Sequence, residues 1–137
     1  MKSGPALAAS QGKSAEGINE ILTFSKPRVK TFRILPGQVL GLMYSLVDGG
    51  PEGASNSYLL IHGTRPGSVL ESFNRLIFIY GAGKDQDAIV MGDRIVAVNH
   101  RNIVVESILD VFAIHEALSA AVVTLTLIRQ QDLETTL

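Results

Sequence analysis

Short apolar runs separated by glycine and proline are the feature that most limits the fold of this chain. From residue 29 onward these runs alternate or are rich in β-branched residues, and turn segments such as PG at 36–37 and DGGPEGASNS at 48–57 divide them. Such runs are typical of β-strands, and Gly and Pro are typical of the turns between strands. The sequence therefore predicts strands at 29–35, 39–47, 57–63, 76–80, 95–98 and 122–129.

Two segments have helical rather than alternating patterns. Apolar residues at 108, 111, 112, 114, 117 and 118 predict a helix of about three turns within 106–121. Ile18, Ile21 and Leu22 predict one short helical turn before Pro27. Together the elements predict an α+β, mostly β fold: a small, partly open antiparallel barrel or sandwich of five to six strands, capped by one long and one short helix.

The chain of 137 residues is long enough for one modest core. Residues 1–28 open with a segment rich in Ala, Gly, Ser and Lys, and are predicted to be a disordered lead-in. Residues 29–130 are predicted to form the folded domain, and 131–137 a C-terminal tail.

Composition argues against several classes of function. The net charge of −1, from 12 basic and 13 acidic residues, gives no general attraction for nucleic acid or anionic lipid. The absence of cysteine removes disulfides, thiolate catalysis and cysteine-bound metals. The segment PALAAS is too short for a signal sequence, and no run reaches the length that spans a membrane. We expect a cytoplasmic protein that inserts into no membrane and binds no nucleic acid.

No group of residues predicts catalysis, a metal or a cofactor. GAGKD at 81–85 lacks the first glycine and the Ser or Thr of a phosphate-binding loop. His62, His100 and His115 have no partners at metal-ligand spacing, and no serine lies in a GxSxG context. The sequence predicts that the protein is not an enzyme.

Three motifs together resemble a known family. MGDRIVAVNHRNI at 91–103 is followed by a helix containing AIHEAL and by VVTLTLIR, and this order resembles the second half of PDZ domains. VLGL at 39–42 lies where those domains keep a carboxylate-binding loop, and LIHGTRPGS at 60–68 is similar to their third strand and its turn. The resemblance covers residues 29–129.

The resemblance implies a non-catalytic module that binds the free C-terminus of partner proteins, membrane receptors or channels among them. A glycine within an apolar loop turns backbone N–H groups toward one point, where an anion can bind. An extended peptide would then add as a strand beside a helix. The implied site consists of the loop Val39, Leu40, Gly41 and Leu42, the strand Met43, Tyr44 and Ser45, and the helix positions Leu109, Asp110, Ala113 and Ile114.

The sequence departs from the family pattern at several points. The link between LIHGTRPGS and GDRIV is longer than usual, so either LIFIY at 76–80 is an inserted strand or it is the true third strand. His100 replaces a common glycine. Leu109 or Asp110 stands where a histidine usually selects Ser or Thr, which favours an apolar class of ligand or one with a hydrogen-bond donor or cation. Arg33 and Lys30 are the distant candidates for a basic residue near the loop.

The last four residues, ETTL, have the form of a PDZ ligand, with Thr135 two residues before Leu137. One interpretation is self-association through this tail, and the other is chance. For the whole chain the leading hypothesis is a scaffold or adaptor module used in signalling. The alternative is a regulatory or substrate-recognition domain of an enzyme such as a protease, or an unrecognised small hydrolase.

Overall fold

Eight strands and two helices make up the part of the chain that the computed structural model describes, residues 23–49, 57–81 and 87–131. The helices are α1, Val69–Tyr80, and α2, Ile108–Leu118. The strands are β1, Thr23–Phe24; β2, Arg28–Arg33; β3, Leu42–Val47; β4, Tyr58–Thr64; β5, Arg94–Val98; β6, Arg101–Asn102; β7, Val122–Ile128; and β8, Gln130–Gln131. Residues Phe24–Gln130 form one compact unit, which contains the main sheet and both helices.

Six of the strands form one open antiparallel sheet. Its order is β2-β7-β5-β4-β3, and β6 pairs with the end of β5. β3 is therefore an edge strand: it pairs with β4 on one side and with no other described strand on the opposite side. An edge strand keeps a row of backbone groups available for another chain.

The core lies between the inner face of this sheet and the two helices. Strand alternation brings one face of each strand inward, so that Leu59 and Ile61 of β4 and Val123, Leu125 and Leu127 of β7 are fully buried. Leu70 of α1, Ile95 of β5 and Leu118 of α2 belong to the same apolar cluster.

Two hydrogen bonds join α1 to the segment that precedes β5. The amide of Asn74 donates to the carbonyl of Ile89 at 2.6 Å and accepts from the N–H of Ile89 at 2.8 Å. Both bonds are buried, so the segment that precedes β5 is held to the helix without an exposed backbone group.

The stretch GDRIVAVN turns the chain into β5 and carries a buried carboxylate. Gly92 has φ +95°, in the region that favours glycine. Asp93, fully buried, accepts from the guanidinium of Arg28 at 3.1 Å and of Arg129 at 2.6 Å. The hydrogen bond from Arg129 to Asp93, and then the opposite charge of Asp93, raise the pKa of Arg129, while burial lowers it. Asp93 thus ties β2 to the end of β7 through both arginines.

The predicted fold class is confirmed, with two corrections. The sheet is mostly antiparallel and open, as expected. LIFIY at 76–80, however, is the second half of α1 and not a strand. The third strand of the motif is therefore β4, and the extra length of the chain falls in α1 and the link that follows it, of which 82–86 lie outside the described residues.

The second correction concerns the helices. The helical turn predicted at 18–24 lies mostly outside the described residues, but Thr23–Phe24 is a strand. The second helix is α1, which at 12 residues is as long as the 11-residue α2. β1 and the first residue of β2, Arg28, precede the predicted domain start at residue 29. The predicted lead-in and tail otherwise lie outside the described residues and stay predictions.

Candidate functional site

The loop Val39–Gly41 is tied to the start of α1 through its carbonyl groups. The N–H of Val69 donates to the carbonyl of Val39 at 3.0 Å, and the N–H of Leu70 donates to that of Leu40 at 3.1 Å. The carbonyl of Gly41 accepts from the N–H of Arg65 at 2.8 Å. Three successive carbonyls therefore point toward the turn before α1 and its first residues.

This arrangement turns N–H groups of the same loop the other way. A trans peptide group points its N–H opposite to its C=O, so the carbonyls of Val39 and Leu40 direct the N–H groups of Leu40 and Gly41 away from α1. Within the described residues, neither of these N–H groups donates a hydrogen bond. Leu40 and Gly41 are both buried and both line a cavity. Two adjacent N–H donors without acceptors are able to bind an anion.

Gly41 is required for the loop on two counts. Its φ of +84° lies in the region that favours glycine, and a Cβ there would overlap the side chain of Ser68. Ser68 is buried and caps α1, where its Oγ accepts from the N–H of Glu71 at 3.2 Å. The close approach of Gly41 to this cap is what brings the loop carbonyls within reach of the helix.

The cavity beside the loop has a volume of about 310 Å³ and lies between β3 and the C-terminal end of α2. Apolar walls come from Leu40 and Leu42 on one side and Leu118 on the other. Its lining also includes Ile34, Gln38, Val39, Tyr44, Arg65, His115, Ser119 and Ala120. An apolar pocket next to two free N–H groups suits an anion that carries an apolar side chain.

Tyr44 and His115 meet across the groove between β3 and α2. The hydroxyl of Tyr44 lies 3.5 Å from Nδ1 of His115. Burial raises the pKa of Tyr44, so the phenol keeps its proton and can donate through the neutral pH range. This pair gives the otherwise apolar pocket one polar wall.

The other face of β3 carries a separate polar pair. Oγ of Ser45 and Nε2 of His62 are 2.8 Å apart on an exposed surface. A serine bonded to a histidine is also the first pair of a nucleophilic triad. Among the contacts of the described residues, no carboxylate is bonded to His62 as the third member.

Five of the seven implied loop and strand residues line the cavity, and the other two point to the opposite face of β3. Val39, Leu40, Gly41, Leu42 and Tyr44 line the cavity. Met43 and Ser45 alternate with them on the exposed side of β3. The structure thus places both halves of the implied site, the anion loop and the edge strand, next to each other.

The four positions of α2 that the resemblance implies do not line this cavity. The carboxylate of Asp110 accepts from the N–H groups of Glu106 at 2.7 Å and Ser107 at 3.1 Å, as part of the capping box of α2. Leu109 and Ala113 are exposed, and Ile114 packs against the core. None of the four lines the cavity. His115 and Leu118 do so instead, three residues apart and therefore on one side of the helix.

Arg65 is the basic residue that the sequence did not single out. It follows the third strand of the motif, bonds Gly41 through its backbone and lines the cavity. Lys30 and Arg33, the predicted candidates, belong to β2, the strand at the opposite edge of the sheet from β3, and line no part of the cavity. Only the folded structure shows that the turn carrying Arg65 packs on the loop.

Two kinds of feature are absent from the described residues: a metal-binding cluster and a membrane-spanning helix. No three His, Asp or Glu side chains come together in a way that would hold a metal ion. Neither α1 nor α2 has the length and apolar character that crossing a bilayer requires.

Comparisons with known proteins give one structural similarity. No protein-family model and no curated protein sequence matches the chain. Among solved structures the chain is similar to Dlg1 PDZ2 of the choanoflagellate Monosiga brevicollis, with 18% identity and a TM-score of 0.47, over 74% of this chain and 97% of that one. At this level of similarity, function has to be inferred from the groove itself.

Proposed function

We propose that the chain is a protein-interaction module that binds the free C-terminus of a partner protein in the groove between β3 and α2. The observation that carries the proposal is the pair of N–H groups of Leu40 and Gly41, two buried residues beside the cavity, which have no acceptor among the described residues. A terminal carboxylate would accept from both. Such charge-assisted bonds contribute about 1.5 to 3 kcal/mol each.

The open edge of β3 supports the same proposal. A peptide that runs antiparallel to β3 would pair with its unpaired backbone groups and bring its last residue to the loop. Side chains alternate along a strand, so the last side chain would enter the pocket of Leu40, Leu42 and Leu118. We therefore expect an apolar C-terminal residue.

The peptide side chain two residues before the C-terminus would contact other residues of α2 than those the sequence suggested. Along the helix, Val111 lies on the same side as His115 and Leu118, because four and seven residues complete about one and two turns. We propose that Val111 and His115, rather than Leu109 or Asp110, face that residue. This keeps the apolar class of ligand as the expectation and adds a polar contact through His115.

The wider role follows from binding alone. We propose a non-catalytic scaffold or adaptor in signalling, cytoplasmic and brought to membranes by partners such as receptors or channels. A domain with the same groove would also suit an enzyme such as a protease, where it would recognise the substrate. The tail residues Thr135 and Leu137 lie outside the described residues, and self-association through them stays a prediction.

The test is a comparison of free and amidated peptides. Fluorescence anisotropy would measure binding of a panel of peptides with apolar C-termini, QDLETTL among them, each with a free carboxylate and as the amide. Loss of the anion should weaken binding at least about tenfold. Equal binding of acids and amides, or no binding by any peptide, would show that the loop does not hold a carboxylate.

A further inference from the structure

The amino-terminal half of α2 exposes large apolar side chains that the core does not use. Ile108 is 63% exposed and Phe112 is 62% exposed, and neither belongs to the apolar cluster of the core. The two are four residues apart, so their side chains are neighbours on the helix surface. Contiguous exposed apolar side chains of this kind mark contact surfaces more often than isolated ones do.

These side chains continue the face of α2 that lines the pocket. Ile108 and His115 are seven residues apart, which places them about 20° apart around the helix axis. Phe112 is about 60° from His115 and about 120° from Leu118, which places it at the outer rim of this face. Leu109 is equally exposed, at 71%, but it points about 120° away.

The length of a bound peptide matches the distance along α2 between Leu118 and Ile108. The carboxylate loop and Leu118 are at one end of the groove, so a peptide anchored there runs from the start of α2 toward its end. Ile108 lies about 15 Å before Leu118 along the helix, at 1.5 Å per residue. In an extended peptide, the residue four before the last lies about 13 Å from it, and its side chain faces the same way as the last one.

Charge favours an apolar occupant at this end of the groove. The nearest acidic group on α2, Asp110, has its carboxylate bound to the backbone of Glu106 and Ser107 in the capping box. Ile108 and Phe112 bring no charge or hydrogen-bonding group. An apolar side chain would gain from burial there, whereas a charged one would lose solvation.

We propose that Ile108 and Phe112 extend the groove and select an apolar side chain four residues before the C-terminus of the bound peptide. This inference rests on the proposed function and adds a second point of selection. It predicts that the ligand is at least five residues long.

The test uses four labelled peptides with free carboxylates: QDLETTL, QDSETTL, QDLEVTL and QDSEVTL. The two pairs differ only in Leu or Ser four residues before the end, with Thr or Val two before it. The protein is the full chain carrying Leu137→Lys in every sample, so that its own last residue does not compete. The variants Ile108→Ser and Phe112→Ser are compared with the matched control Leu109→Ser. All three sites are exposed, and circular dichroism verifies the fold.

On the unaltered groove, the Leu peptides should bind about five- to tenfold more tightly than the Ser peptides. Ile108→Ser and Phe112→Ser should each reduce this preference to about twofold or less, and Leu109→Ser should keep it. Equal binding of Leu and Ser peptides, or a preference that survives both substitutions, would overturn the extended groove while leaving carboxylate binding intact. If none of the four binds, and none of the free-carboxylate panel does, the proposed function fails and this inference with it.

Discussion

Gly41 lies directly against Ser68, so close that a Cβ at residue 41 would overlap both the Cβ and the Oγ of Ser68. Because Ser68 caps α1, this contact joins the anion loop to the helix that orients it. The close packing leaves the carbonyls of the loop bonded to the turn before α1 and to its first residues, and the N–H groups free. The relationship between these two residues underlies the proposed carboxylate site.

Gly41→Ala should destabilise the fold and abolish peptide binding. The left-handed backbone alone costs an alanine about 1 to 2 kcal/mol, and the overlap with Ser68 adds about 1 to 3 kcal/mol. Gly37→Ala is the matched control, because Gly37 has the same φ of +84° but no atom within 4 Å of its would-be Cβ. Urea denaturation measures the free energy of unfolding of both variants. Equal losses of unfolding free energy would show that contact with Ser68 does not matter.

Asp93→Asn should be among the most destabilising single changes in the described part of the chain. It removes the carboxylate charge that the guanidinium groups of Arg28 and Arg129 both bond in a partly buried site. Breaking a buried ion pair from one side costs about 3 to 5 kcal/mol. The control Arg75→Gln, which breaks an exposed pair with Glu71, should cost about 1 kcal/mol or less. Similar midpoints in denaturant for both variants would contradict this account.

The phenol of Tyr44 should ionise with a pKa above the ordinary value of about 10. Burial disfavours the phenolate and raises the pKa of Tyr44. Its contribution to stability is therefore fully present below pH 10 and is lost as pH rises through the raised pKa. Ultraviolet titration of phenolate absorbance should lose its most alkaline step in Tyr44→Phe. If Tyr80→Phe, at a site that is 76% exposed, removes that step instead, the assignment is wrong.

Arg65→Gln should weaken binding of free-carboxylate peptides about two- to fivefold and leave amidated peptides unaffected. The guanidinium is exposed, so its attraction for an anion in the pocket contributes about 1 kcal/mol or less, and added salt should reduce it. Arg101→Gln, an exposed arginine of β6 that does not line the cavity, serves as the control. An equal effect on acid and amide would mean that Arg65 contacts another part of the peptide.

The alternating strands were predictable because their burial follows their sequence pattern: β4 and β7 bury every second residue over much of their length. In α2, Ile114, Ala117 and Leu118 pack against the core at helical spacing, whereas Ile108 and Phe112 of the same apolar pattern are exposed. The run LIFIY was misread because a short apolar run has no period that separates strand from helix. The missed signal was local: Ser68 followed three residues later by Glu71 is the pattern of a helix start, and Ser68 does cap α1.

The site was only partly predictable for a physical reason. The glycine at 41 and its apolar neighbours mark the loop in the sequence, and the structure brings Leu40, Gly41 and Leu42 to one cavity. The residues of α2 that face the loop depend on the rotation of the helix about its own axis. An error of one residue in the count changes the direction of the predicted side chain by about 100°. Counting along the sequence selected Leu109 and Asp110, whereas packing of Ile114 and Leu118 on the core turns His115 into the groove.

The most direct test of the central claim is the behaviour of two backbone amides. In a ¹⁵N–¹H spectrum of the full chain, adding a binding peptide with a free carboxylate should move the signals of Leu40 and Gly41 downfield, as their N–H groups bond the anion. The amide of the same peptide should leave both signals near their free positions. If the acid form binds without moving the two signals, or moves them no more than the amide form does, the carboxylate does not bind at this loop.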